Sequence, residues 1–273
     1  MSYTDELFGL EGVNVVITGG AGVIAGAMSQ ALLNAGARVC LWGRGTGHPV
    51  QDAVDNLTKQ TGAEGRVFGV TVDTGDEAAV EKALQETITQ MGPPTVLING
   101  VGGNKFKSEF HQIDVSLFQE VLLMNVMAGV VIPTKLFSRY WIENKMQASI
   151  INLASMASYI PLSGVDAYGS AKAAVMNLTV ANAREFAHHG IRVNGIAPGF
   201  FLGYQNKALL VKNEATGELT DRGAAIINHT PFGRFGNMED LKGATVFLAS
   251  AKASGFITGV TIPIDGGYLT HNV

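Results

Sequence analysis

Apolar residues along this chain follow two alternating rhythms. Short β-rich runs, "VNVVIT" (13–18), "RVCLW" (38–42), "RVFGVTV" (66–72), "TVLIN" (95–99), "SIINLA" (149–154), "IRVNGIA" (191–197) and "GVTIPI" (259–264), are separated by longer stretches of helical period. The runs are nearly continuous in apolar residues, as strands covered on both faces are. Between the first two, Ile24, Ala27, Met28, Ala31 and Leu32 recur at spacings of three and four and share one helix face. Gly36 then stands where a glycine closes a helix. The pattern predicts an α/β fold: a Rossmann-type, doubly wound parallel sheet of about seven strands with helices on both faces. No linker divides the chain, so residues 1–273 are expected to form a single domain. Residues 200–234, mixed in composition and punctuated by Gly, Asn and Thr, break the rhythm and are predicted to be a substrate loop or lid.

Composition narrows the classes of function. Almost half the residues are apolar and 15% are charged, enough for a large core. A net charge of −4 without a basic cluster argues against nucleic acid as a partner. No uninterrupted apolar run reaches about 18 residues, so no membrane span is expected. The opening "MSYTDELFGL" lacks the basic and hydrophobic regions of a signal peptide, which makes the cytoplasm the expected location. The single cysteine, Cys40, lies in an apolar run and reads as a buried, reduced thiol. His188 and His189 precede Gly190 at a helix end without other ligand types, so no metal site is expected. Met124 and Met127 read as core filler.

In doubly wound folds, ligands sit beyond the carboxyl ends of the strands. After the first strand comes "TGGAGVIAG" (18–26), a glycine turn leading into a helix, where backbone N–H groups and the helix dipole can hold a pyrophosphate. The bulky Val23 interrupts it. At the end of the second strand, where an NAD site usually carries a carboxylate, stand Gly43 and Arg44. An arginine fork suits a 2′-phosphate, which favours NADP(H) and leaves NAD(H) open. Further on, Tyr168 and Lys172 lie four apart on a predicted helix and share a face. A cation beside a phenol lowers its pKa toward the range that acid/base catalysis needs. Ser155, just past a strand, is expected to reach the same substrate oxygen.

Together these motifs resemble the short-chain dehydrogenase/reductase family over nearly the full chain. The family's T-G-x-x-x-G-x-G motif falls on residues 18–25, which implies cofactor contacts from Gly19, Ala21, Gly22, Val23 and Ile24. Its adenine-contacting Asp falls on Asp73, followed by Thr74, and its N-N-A-G motif on Asn99, Gly100, Val101 and Gly102. Its Y-x-x-x-K falls on Tyr168 and Lys172, its serine on Ser155, its P-G on Pro198 and Gly199, and its D-G-G on Asp265, Gly266 and Gly267. The resemblance implies that Tyr168 is the acid/base, that Ser155 polarises the carbonyl, and that Lys172 lowers the tyrosine pKa and binds the nicotinamide ribose. It also implies that Asn125 holds a water for proton relay, and that the protein is a homotetramer acting on a small molecule. Val23 and Ala25 depart from the motif's second and third glycines, and Gly100 from its second asparagine.

A narrower resemblance, in "TGGAGVIAGAM", "INGVGGN", "IAPGFFLGYQNKALL" and "TPFGRFG", is to the D-mannonate oxidoreductase, or fructuronate reductase, branch. It implies reversible reduction of a keto group on a sugar acid of the D-fructuronate type. The alternatives are a polyol, ketose or 3-oxoacyl-thioester reductase of the same family, and a non-catalytic scaffold. A substrate carboxylate needs donors, for which Asn104, Lys105, Gln205, Asn206, Lys207 and Arg222 are the candidates. Arg234 is expected to tie the loop to the body. Phe200 and Phe201 are read as pocket lining or as core.

Overall fold

All seven apolar runs become parallel strands of one sheet: β1 (Asn14–Thr18), β2 (Arg38–Gly43), β3 (Val67–Thr71), β4 (Val96–Asn99), β5 (Ala148–Leu153), β6 (Ile191–Pro198) and, last in the chain, β9 (Thr261–Ile264). Their spatial order is β3-β2-β1-β4-β5-β6-β9. The computed structural model describes residues 2–47, 49–203, 207–213 and 215–270.

Strand pleating explains why the runs are continuously apolar. On β1, Val15 and Ile17 join one core while Val16 joins the other. On β2, Val39 and Leu41 divide in the same way from Cys40 and Trp42. Each of these side chains is fully buried, worth roughly 1.5–3 kcal/mol for each large aliphatic one. The first core is capped by helices α2 (Val23–Asn34), α3 (Val50–Thr61) and α10 (Lys242–Ala249), the second by α4 (Glu77–Met91) and α6 (Ile132–Glu143). Trp42, Phe137 and Trp141 stack in the second core at centroid separations of 5.4 and 5.5 Å. Their indole N–H groups are satisfied by Thr87 Oγ1 and the Pro94 carbonyl.

The remaining helices are α1 (Tyr3–Phe8), α5 (Val115–Leu122), α7 (Asp166–Phe186), α8 (Lys207–Leu210), α9 (Asp221–His229) and α11 (Ala251–Ser254). Between α5 and α6 the chain winds as a π-helix over Leu123–Val131, so that Val115–Glu143 is one continuous helical rod. By length and composition this rod is apolar enough to cross a membrane, at a mean hydropathy of 1.9. Polar residues such as Glu120 and Asn125 break the apolar run without breaking the helix, and a core helix of a globular fold passes the same length-and-composition test. In the fold the rod packs against α7, with Val121, Asn125, Val130, Leu136 and Phe137 turned inward. Met127, read as core filler, is instead 40% exposed on the outer face of the π stretch.

The segment 200–234 has structure of its own rather than being a bare loop. It holds α8, α9 and an antiparallel hairpin of β7 (Val211–Asn213) and β8 (Glu218–Leu219). Gly223 permits α9 to touch α8, since a Cβ there would lie 2.1 Å from the Leu210 carbonyl oxygen.

Candidate active site

The strand order reverses between β1 and β4, which opens a crevice above their carboxyl ends. Two glycine turns meet there. A Cβ at Gly100 would sit 2.4 Å from the Thr18 carbonyl oxygen, and one at Gly19, whose φ is +66°, 3.0 Å from Gly100. The Thr18 hydroxyl accepts the Gly100 N–H at 3.0 Å. Gly100 therefore has a steric reason to replace the family's asparagine. Gly22 is the N-cap of α2 and has no side chain to cap it, so no cap of its own occupies the first-turn N–H groups. Val23 occupies the first helical position with its side chain 37% exposed, while Ala25 is buried against the sheet. Turn, uncapped helix N-terminus and glycine walls suit a dinucleotide pyrophosphate, which Gly19, Ala21, Gly22, Val23 and Ile24 could hold.

At the neighbouring strand ends, Arg44 is exposed just beyond β2. Asp73 is exposed beyond β3, one carboxylate oxygen taken by the Gly75 N–H at 2.9 Å, while Thr74 is buried. Pro198 ends β6, and Gly199 lies so close to Asp265 that a Cβ would come within 2.7 Å of its Cα. The Asp265 carboxylate accepts the N–H groups of Gly267 and Leu269, both at 2.9 Å, so the D-G-G motif is a self-capped turn supporting Gly199. Asn99, at the end of β4, turns its side chain into the fold. Its side chain is 1% exposed and donates to Thr134 Oγ1 and Asn152 Oδ1 at 3.0 and 2.8 Å, which braces β4 against α6 and β5.

Ser155, Tyr168 and Lys172 come together where β5 ends and α7 begins. Ser155 Oγ accepts the Ala157 N–H at 3.2 Å, which leaves its hydroxyl hydrogen to donate elsewhere. Lys172 is buried, and its Nζ donates to the Leu153 carbonyl at 2.7 Å and lies 5.7 Å from the Tyr168 ring centroid. Burial pushes the Lys172 ammonium down to about 8. Burial raises the Tyr168 phenol, and the neighbouring Ser155 hydroxyl opposes that. The opposing influence is thus the Ser155 hydroxyl and not the expected lysine, whose ammonium is directed at the Leu153 carbonyl rather than at the phenol. A Cβ on Gly102 would fall 3.0 Å from Lys172 Nζ and 2.5 Å from Asn125 Oδ1, so this glycine keeps the lysine open to the crevice. Motif reading gave it no role.

Asn125 binds the same loop. Its amide donates to the Gly103 and Val121 carbonyls, both at 2.8 Å, and accepts the Gly103 N–H at 3.0 Å. Both amide hydrogens are spent on backbone, so the side chain anchors the crevice wall instead of presenting donors to a water.

The carboxylate-binding candidates are scattered. Lys105 is paired with Glu120 at 2.7 Å, and the Asn104 amide is bonded to the Phe106 carbonyl. Gln205 and Asn206 lie outside the described residues. The Lys207 N–H caps onto the Gly203 carbonyl at 3.0 Å as α8 begins. Arg222 is exposed on α9 near Tyr268, whose phenol it lowers against a larger upward push from burial. Tyr268 also meets Phe200 edge-on at 5.3 Å and the His229 ring at 4.4 Å. Phe200 and Phe201 both line a cavity of about 320 Å³ together with Thr230, Phe232 and Arg234, and Phe201 also joins the core. Arg234 forks onto Asp240 at 2.7 and 3.0 Å, tying the end of segment 200–234 to the turn before α10.

Over residues 19–269 the sequence matches the family described as enoyl-(acyl carrier protein) reductase. An uncharacterized oxidoreductase, UxuB of Bacillus subtilis, is 37% identical over 277 residues, spanning 96% of this chain and 97% of the relative. A Haemophilus influenzae structure with bound NAD, provisionally assigned as a D-mannonate oxidoreductase, matches with a TM-score of 0.86 at 32% identity and covers 97% of each chain. A gluconate 5-dehydrogenase from Burkholderia cenocepacia, in complex with NADP and tartrate, gives 0.85 at 28% identity, covering 98% of this chain and 99% of that one. The serine, tyrosine and lysine beside a glycine-walled crevice therefore have the ancestry their geometry suggests: the chain belongs to the short-chain dehydrogenase/reductase family of oxidoreductases.

Proposed function

We propose that this protein reversibly reduces the keto group of a sugar acid, D-fructuronate to D-mannonate, using NAD(P)H. The observation that carries the reading is the convergence of Ser155, Tyr168 and Lys172 beside the dinucleotide crevice. The sugar-acid assignment draws on the names of the relatives. In the reductive direction the Ser155 hydroxyl hydrogen-bonds the substrate oxygen and Tyr168 delivers the proton to it. The nicotinamide, when bound, supplies the hydride. Lys172, held by the Leu153 carbonyl, faces the site where the cofactor ribose would lie. Arg222 is the candidate for the substrate carboxylate, because Lys105 is already paired.

A homotetramer and a cytoplasmic location belong to the same reading. Leu123, Met127 and Val180 are exposed on helical surfaces that a second copy could cover, and Cys40 is a free, buried thiol pushed up to about 11. The deciding experiment is a panel of D-fructuronate, 5-keto-D-gluconate, neutral ketoses and 3-oxoacyl thioesters, assayed by NADH and NADPH oxidation. Turnover confined to the thioesters or neutral ketoses would replace this reading.

Arg44 supports NADP(H) as the favoured cofactor, with NAD(H) as the alternative. Arg44→Ala should weaken NADPH by about tenfold, the worth of one charge-assisted hydrogen bond, and leave NADH nearly unchanged. Fluorescence titration of both cofactors tests this, and equal losses would remove Arg44 from 2′-phosphate recognition.

A further inference from the structure

We propose that Ser158 is a positioning residue, whose hydroxyl holds the loop of Ser155 in register with the helix of Tyr168 and Lys172. The proposal rests on the reaction assigned above. Ser158 is 8% exposed. Its Oγ accepts the Ser155 N–H at 3.3 Å and donates to the Lys172 carbonyl oxygen at 2.7 Å. A hydroxyl has one hydrogen and two lone pairs, so both bonds form at once.

The covalent path between the reacting groups does not fix their spacing. From Tyr159 to Val165 the chain is irregular, passing through Pro161 and Gly164, with α7 starting only at Asp166. Register is set by non-local bonds, and Lys172 takes two of them. Its Nζ donates to the carbonyl of Leu153, ahead of Ser155, and its own carbonyl accepts from Ser158, behind Ser155. Ser155 is thereby bracketed by two contacts to one residue of α7. The short turn over Met156–Ser158 adds the capping bond from Ala157 to Ser155 Oγ, which orients the serine hydroxyl. Loss of the Ser158 hydroxyl leaves the Ser155 N–H without its partner and frees α7 to slide relative to the loop. Misplacement of reacting groups by about 1 Å can cost about a hundredfold in rate.

The test compares Ser158→Ala, Ser158→Thr and Tyr168→Phe with the unaltered protein, using D-fructuronate and 5-keto-D-gluconate with NADH and NADPH. Rates are normalised to cofactor-binding sites titrated by fluorescence. Ser158→Ala is expected to lower kcat by about tenfold or more while both KM values stay within about twofold, and Ser158→Thr, which keeps the hydroxyl, to recover most of the rate. In the cofactor-free protein, hydrogen exchange at the Ser155 amide should accelerate in Ser158→Ala and not in Ser158→Thr. Should the alanine variant fail to fold, Ser158→Cys, with a weaker donor of similar shape, carries the same kcat comparison. Unaltered kcat in the alanine or cysteine variant, or equal losses in the alanine and threonine variants, would overturn the positioning role. If that happens while Tyr168→Phe is inactive, the reaction assignment stands without it. An active Tyr168→Phe, or an unaltered protein inactive on both sugar acids, would overturn the reaction assignment and the role with it.

Discussion

Tyr168→Phe is expected to lower kcat by about a hundred- to ten-thousandfold, the usual contribution of a positioned general acid, with cofactor affinity and melting temperature nearly unchanged. The substitution deletes one oxygen and keeps the ring that faces Lys172 Nζ at 5.7 Å, so packing and the cation–ring contact survive. The direction of the phenol's shift adds a second expectation. Burial raises the Tyr168 pKa, against a smaller lowering from the Ser155 hydroxyl. In neutral solution the phenol therefore carries its proton, which is the form that reduction of a ketone consumes. Oxidation of the alcohol needs the phenolate and should speed up as pH rises, while reduction holds its rate until the alkaline range. Initial rates in both directions across pH check this. A phenylalanine variant within about tenfold of the parent rate would deprive Tyr168 of its role.

Much of the fold is visible in the spacing of apolar residues because the sheet is parallel and covered on both faces. The centre of "NVVIT" must be apolar at every position when Val15 and Ile17 join one core and Val16 the other, and few other architectures demand that. The end of the helix after the first strand is equally legible, since Gly36 adopts a φ of +102° that only glycine takes without strain. Where the prediction departs, long-range contact decides. "GVTIPI" loses its first two positions from the strand, because Gly259 turns at φ +81° while its N–H bonds Val193. The π stretch over Leu123–Val131 leaves no trace in periodicity, and it is what rotates Met127 out to solvent.

In the site, the residue types were readable and their partners were not. Spacing on α7 brings Tyr168 and Lys172 to one face, but nothing local reveals that the lysine ends on the Leu153 carbonyl. Asn99 matches a motif letter, yet its amide N–H groups are directed at Thr134 on a helix and Asn152 on the next strand. Val23 and Gly100, the two awkward motif letters, make sense only when β1 and β4 are side by side. The valine leaves the turn for solvent, and the glycine yields space to the Thr18 carbonyl. Ser158 belongs to the same class, being one ordinary serine made consequential by what lies across from it.

Lys172→Met should abolish turnover and yet stabilise the protein at neutral pH, because function keeps a charge where folding opposes it. Burial depresses the Lys172 pKa from 10.5 to about 8, which corresponds to roughly 3 kcal/mol against folding with the ammonium charged. Removing the ammonium also leaves the Leu153 carbonyl without its donor, at a cost of about 1–3 kcal/mol, so the net gain is about 2 kcal/mol at most. The sign of the pH dependence follows from proton counting. Below about pH 8 the folded and unfolded chains both hold the lysine proton, and the full penalty applies. Between about 8 and 10.5 the unfolded chain still binds the proton and the folded one has released it, so the stability of the unaltered protein rises with pH. Lys172→Met has no such term, and groups common to both proteins cancel in the comparison. Denaturant unfolding of the two proteins from about pH 7 to about pH 10 should therefore show the gap shifting in favour of the lysine as pH rises. A gap that stays constant or moves toward methionine would mean that the lysine is not held against its charge, and that its carbonyl contact and its neighbours offset desolvation already at neutral pH.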